Sequence, residues 1–343
     1  MVSPLVPVRL STISLDEVAA ARQRIADTAL RTPLVRLDIN STQAEIYLKL
    51  ENLQPVGSFK IRGAVNALAK IAEEKGGVTQ GVWTASVGNM GYALAWAAQQ
   101  MGIPCAVIVP DDAPKTKLQA IARYGALIHP VPFSVYQQIQ VQHAWRELAD
   151  LPESGPLSGP MVHPFADPAV MAGNATIGLE ILEEMPDVEA VFVPYGGGGL
   201  SCGIAAGVKA VRHEARVVAC EVETAAPLAA SLAAGQTVEV SYTPSFVTGM
   251  GAPYVFPDMW PLAKQVIDSA QVVSLDQVRI AIRILAHRCH IIAEGAGAVP
   301  VAAALSSAAG VRKVVCVVSG GNIDAELLAG ILNENDLSQK IPS

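Results

Sequence analysis

Lys60 follows Ser58 and Phe59 in "ENLQPVGSFKIRGA" (51–64), at the start of a run with helical character and behind the turn-forming Pro55 and Gly57. The positive end of a helix disfavours a cation, which favours the neutral amine of a lysine held there. A neutral lysine amine is a nucleophile that can hold an aldehyde as a Schiff base. A second stretch, "VFVPYGGGGLSCGIAAGVKAV" (191–211), runs a hydrophobic strand into Gly196, Gly197, Gly198 and Gly199 and then, through Leu200, into an Ala-rich helix. Unobstructed amide N–H groups and the helix end converge there on one point, an arrangement suited to an anion and above all to a phosphate.

Two further strand ends carry polar turns. "TASVGNMGYALAWAAQQMG" (84–102) passes through Ser86, Val87 and Gly88 into a helix beginning with Asn89 and Met90. Its free amides can cradle a second anion such as a substrate carboxylate, and the Asn89 amide can donate to a phenolate-like oxygen. "VVCVVSGGNID" (314–324) offers the Ser319 hydroxyl to the centre of the molecule. A dinucleotide would require G-x-G-x-x-G, whose last position falls on Ser201 or Cys202, although Glu221 and Glu223 end the next strand about where a ribose-binding acid belongs. A nucleotide-binding module without covalent chemistry would account for Gly196 to Gly199 and leave Lys60 without a role. Pyridoxal phosphate matches all four parts at once.

The elements that must position these residues follow from patterning. Near-continuous β-branched runs at 46–50, 81–86, 105–110, 126–131, 190–195, 216–223 and 313–320 read as strands buried on both faces. Helices are expected from Asn89 to Met101, Pro114 to Tyr124, Pro168 to Met185 and Gly199 to Arg212, so the fold class is α/β with mostly parallel sheets flanked by helices. The chain has 343 residues, more than one core usually organises. Residues 76–155 read as a small mobile lobe closed by the Pro/Gly/Ser stretch at 151–160, and residues 1–75 and 156–343 as a larger one.

Composition narrows the function classes. The net charge is 24 − 31 = −7, without a Lys/Arg cluster, so nucleic acid is not an expected partner. The five cysteines lack C-x-x-C spacing and read as buried free thiols of a reducing compartment. There is no basic, apolar leader at the amino terminus and no apolar stretch near the ~20 residues needed to span a bilayer. Cytoplasmic localisation is the expectation. His287 and His290 share a helix face without a third ligand, and His163 reads as a structural hydrogen-bonding residue.

The sequence resembles the fold-type II pyridoxal-phosphate enzymes, tryptophan synthase β-like in fold, and within them the serine/threonine dehydratase and serine racemase family. The elements that carry the likeness are "ENLQPVGSFKIRGA", "ASVGNMGYALA", "VMAGNATIGLEI", "GGGGL", "EGAGA" and "SGGNI", spread from Arg31 to Gly320. The resemblance implies that Lys60 binds the cofactor covalently, Phe59 packs on its ring, Asn89 holds its 3-hydroxyl and Gly196 to Leu200 bind its phosphate. Ser319 would face the pyridine nitrogen and Glu294 lie near the ring. Ser86, Val87, Gly88, Asn89 and Met90 would form the loop for the amino-acid substrate.

The implied activity is β-elimination from L-threonine and L-serine, giving a 2-oxo acid and ammonia, with a homodimer as the assembly. Serine racemase, or a lyase for another 3-hydroxy amino acid, is the alternative within the family. Departures bear on that choice. Val87 occupies the place of the racemases' proton-returning serine, and Met90 and Asn174 replace a frequent histidine and glutamine. Glu221 matches one carboxylate of the family's divalent-metal site, but Pro227 stands where an aspartate is expected, so no metal is expected. No regulatory domain is expected after the catalytic part, which suits a catabolic enzyme.

Overall fold

A computed structural model describes residues 13–39, 44–78, 80–141, 155–307 and 310–334. Residues 1–12 of the stretch read for a leader, and 151–154 of the expected linker, lie outside them. The strands are β1 (Leu34–Arg36), β2 (Glu45–Lys49), β3 (Val82–Ala85), β4 (Cys105–Pro110), β5 (Leu127–Val131), β6 (Ala190–Pro194), β7 (Arg216–Val222), β8 (Ser269–Val273) and β9 (Lys313–Val317). The helices that bear on the site are α1 (Leu15–Ile25), α2 (Lys60–Lys75), α3 (Asn89–Met101), α4 (Lys115–Ala122), α5 (Phe133–Val141), α6 (Pro168–Glu184), α7 (Gly199–Val211) and α8 (Pro227–Ala234). The chain continues through α9 (Trp260–Val266), α10 (Leu275–Cys289), α11 (Gly295–Ser307) and α12 (Ala325–Asn333).

Two sheets form. One has the order β1-β2-β9-β6-β7-β8, parallel throughout except for the antiparallel edge strand β1; the other is the parallel set β3-β4-β5. Every residue of β4 and of β6 is buried, as expected of strands covered by helices on both faces. The alternation is visible in the cores: Val191, Val193, Val315 and Val317 pack on one side of the larger sheet, Phe192 and Cys316 on the other. Helix starts are set by local chemistry. Asp167 caps α6 by accepting from the amides of Ala169 and Val170, with Pro168 at the first helical position.

The structure trims the expected strand at 313–320 to Lys313–Val317: Val318 N–H makes the last ladder bond, to the Lys49 carbonyl, and the Ser319 carbonyl beyond it accepts from Phe59 N–H instead. It adds β1 and β8, whose half-exposed, mixed residues gave no apolar run. Cys105, Cys202, Cys220 and Cys316 are buried free thiols and Cys289 is half-buried. Among the described residues no helix is long and apolar enough to cross a membrane.

Candidate active site

The carboxyl ends of β3, β6 and β9 open on one cavity of about 970 Å³ between the two sheets. Every residue expected to bind the cofactor or the substrate lines it: Phe59, Lys60, Ser86 to Met90, Gly196 to Leu200, Glu294 and Ser319. They come from opposite walls. Residues 86–90 belong to the smaller sheet's first strand–helix turn, and 196–200, 294 and 319 to the larger sheet's side.

Lys60 is the first residue of α2, and the segment leading into it is pinned along its length. Phe59 N–H donates to the Ser319 carbonyl at 3.0 Å, Gly321 N–H to the Gly57 carbonyl at 2.9 Å, and Ser58 bridges Gly320. Two residues further in, the fully buried Arg62 guanidinium donates to Glu51 and Glu180 and to the Leu30 carbonyl. Bidentate pairs of this kind fix direction as well as distance. The Lys60 ammonium position is thus set by the backbone and by a buried ion-pair network.

The Lys60 amine donates to the Pro164 carbonyl at 2.6 Å and lies 5.1 Å from the centre of the Phe59 ring. Burial pushes it down to about 8, with the Glu294 carboxylate working in the opposite direction. The larger cause is therefore removal from water, where the sequence had suggested the helix end. Glu294 itself is pushed up to about 7 by burial, against the stabilising hydrogen bond from Asn89. That bond runs from Asn89 Nδ2 to Glu294 Oε1 at 2.8 Å.

The glycine turn joins β6 to α7. Gly198 has φ +90, a conformation that favours glycine. At Gly197 the constraint is space: a Cβ there would lie 2.3 Å from Cγ of Phe165. The amides of Gly197, Gly198, Gly199 and Leu200 make no backbone hydrogen bond among the described residues, so the first turn of α7 presents open donors to the cavity. Asn174, on α6, supports the turn by donating to the Gly199 carbonyl at 3.2 Å.

Several functional residues escaped sequence reading. Phe165, Pro164 and Asn322 reach the cavity, and nothing in their types marks them. The nearest signal was His163, which does hold their segment: its Nδ1 accepts from Ala166 N–H at 3.0 Å, and its ring meets Phe165 edge-on at 4.5 Å. Met90 is turned into the core of the smaller sheet, with only part of it in the cavity wall. Glu221 and Glu223, read as a candidate ribose acid or metal ligand, are spent elsewhere. Glu221 accepts from the amides of Leu228 and Ala229 at the start of α8, at 2.9 and 2.7 Å, and Glu223 accepts from Leu275 N–H at 2.8 Å. Burial pushes Glu221 up to about 7. The dinucleotide reading loses its acid in this way.

The pyridoxal-phosphate dependent enzyme family matches residues 25–320, and the chain belongs to that family. Over 325 residues it is 37% identical to an L-threonine ammonia-lyase of Thermotoga maritima, covering 94% of this chain and 79% of that one. The catabolic L-threonine dehydratase TdcB of Escherichia coli K12 is 33% identical over 328 residues, 93% of this chain and 96% of that one. The solved structure of serine racemase from Dictyostelium discoideum superposes with a TM-score of 0.80 at 32% identity, over 92% of this chain and all of that one. The fold is therefore fold-type II and the cofactor is pyridoxal phosphate. The cavity fits that group: open amides for its phosphate, a water-poor amine for its aldehyde and a carboxamide donor for its ring oxygen.

Proposed function

We infer that the protein is a pyridoxal-phosphate-dependent ammonia-lyase that removes water from L-threonine and L-serine and releases a 2-oxo acid and ammonia. The observation that carries the reading is the meeting, in one cavity, of the desolvated Lys60 amine, the open glycine turn and the Asn89 amide. The cofactor, when bound, supplies an aldehyde for the substrate's amino group and a ring that draws electrons from its α-carbon.

The rest belongs to the chain. Gly196 to Leu200 would hold the phosphate with backbone donors, Phe59 would pack on the ring and Asn89 would donate to its oxygen. The amides of the 86–89 turn would orient the substrate carboxylate, which sets the α-hydrogen towards Lys60. Once the substrate has taken its place, Lys60 Nζ is a free neutral amine and accepts the α-proton. Its ammonium form is then the nearby acid for the departing β-hydroxyl, which leaves as water. Ser319 would meet the ring nitrogen with a hydroxyl in place of a carboxylate, a weaker proton source that would favour prompt departure of the β-substituent. The unsaturated amine that is released hydrolyses in water.

A racemase would need a proton carrier on the substrate face opposite Lys60, and Val87 in the substrate turn carries no exchangeable proton. The reading extends to residues 1–75 and 156–343 as the larger lobe, 76–155 as a smaller lobe that moves over the site, a homodimer as the assembly and the cytoplasm as the compartment. A panel of L- and D-hydroxy amino acids scored for 2-oxo acid release tests it. Release from L-threonine and L-serine is expected; release from none of them would overturn it.

A further inference from the structure

Three charged side chains reach the wall of the cavity among the described residues: Lys60, Glu294 and Lys117. Two have partners within the protein, since Lys60 donates to Pro164 O and Glu294 accepts from Asn89. The Lys117 ammonium, half-buried on α4, makes no hydrogen bond and no ion pair with any described residue. It shares the wall with Tyr92, Phe133 and Tyr136, so its charge faces the cavity with no counter-charge from a described residue. An anion at its side would restore the balance.

Position decides which anion. Helix α4 packs against α3 so closely that a Cβ at Gly91 would lie 3.1 Å from Ile121 Cδ1. Lys117 therefore stands on the same side of the cavity as the turn of Ser86 to Asn89, which starts α3, while the glycine turn for the phosphate belongs to the other sheet. Its charge is felt in the cavity, where it works against the burial that raises Glu294.

We propose that Lys117 binds the α-carboxylate of the amino-acid substrate, together with the amides of the 86–89 turn. This deepens the lyase reading and rests on it. Since every amino-acid substrate carries that carboxylate, the contact contributes to uptake and orientation of all of them and leaves the choice of side chain to other residues. An ion pair made equally in the bound substrate and in the transition state changes KM and spares kcat.

The test uses holoenzyme with Lys117→Gln and Lys117→Arg. L-Alanine, which has no leaving group on its β-carbon, and L-alaninol, in which a hydroxymethyl group replaces the carboxylate, are titrated by the change in cofactor absorption. Lys117→Gln is expected to weaken L-alanine by roughly ten- to a hundredfold, as for a lost charge-assisted hydrogen bond, to leave L-alaninol unchanged, and to raise KM for L-threonine in parallel with kcat preserved. Lys117→Arg should recover most of the loss. Unchanged L-alanine affinity in the Gln variant, equal weakening of L-alaninol, or a KM increase confined to substrates with an acidic side chain would overturn the assignment. The two readings fail separately: a parent enzyme that binds L-alanine but releases 2-oxo acid from no hydroxy amino acid removes the lyase, whereas an active parent with an indifferent Gln variant removes only the role of Lys117.

Discussion

Asn322 Nδ2 donates to Asn89 Oδ1 at 2.8 Å. The same amide donates to the Val56 carbonyl at 2.8 Å, which fixes which way Asn322 faces and, through it, which way Asn89 faces. With its oxygen occupied by Asn322 and one hydrogen given to Glu294, the Asn89 side chain has a single N–H left to donate. Val56 is also one of two non-glycine residues with positive φ among the described residues, at 58°, so Asn322 ties a strained turn to Asn89. Asn322→Asp removes both donations and sets a carboxylate against two acceptor oxygens. Cofactor affinity of the apoprotein should fall roughly ten- to a hundredfold with far-UV circular dichroism unchanged. An unaltered dissociation constant in an absorbance titration would show that Asn89 needs no such lock.

Gly197→Ala tests the glycine turn. Its Cβ would meet the Phe165 ring, which is held by a tilted contact with Phe256 and an edge-on contact with His163, both at 4.5 Å. The expected cost is about 1–3 kcal/mol of stability, with cofactor retention lost more steeply than stability. In a Phe165→Ala background the same substitution should cost little further stability, as read by thermal melts, because the clash is with that ring.

The pH dependence of cofactor capture follows from Lys60. Its amine, lowered to about 8, is charged at lower pH and reactive above it. The rate at which apoprotein takes up pyridoxal phosphate should rise about tenfold per pH unit below that value and level off above it. Because the Glu294 carboxylate opposes the lowering, Glu294→Gln should move the midpoint further down. A stopped-flow profile that keeps rising to pH 10 would contradict a desolvated amine.

Val87→Ser addresses the absence of racemisation. The parent enzyme should convert L-serine to 2-oxo acid with little D-serine, since the Val87 side chain has no proton to return. The serine variant should raise the ratio of racemisation to elimination, measured by chiral chromatography. Substantial racemisation by the parent would place the second proton carrier elsewhere.

Much of this site was legible because its parts sit at strand ends with unusual chemistry. Four glycines in a row, a lysine at a helix start and a Ser-Val-Gly-Asn turn each carry a local signal that needs no tertiary knowledge. Residues that act through shape or through a backbone carbonyl carry none. Phe165 is one aromatic among six phenylalanines until its ring is seen under Gly197, and Pro164 contributes only an oxygen. Glu221 shows the converse: its sequence position suggested a ligand, yet the first amides of α8 take both of its oxygens. The edge strands β1 and β8 were missed for a related reason, since a half-exposed strand needs no continuous apolar run.

The central claim is that Lys60 holds the cofactor, and reduction followed by peptide mapping tests it most directly. Holoenzyme treated with borohydride should lose its absorption near the visible edge and yield a single peptide carrying a reduced pyridoxyl group on Lys60. Lys60→Ala protein should show neither the band nor the adduct. A pyridoxyl group found on another side chain of the parent protein, or a parent that stays colourless after cofactor is supplied, would contradict the account.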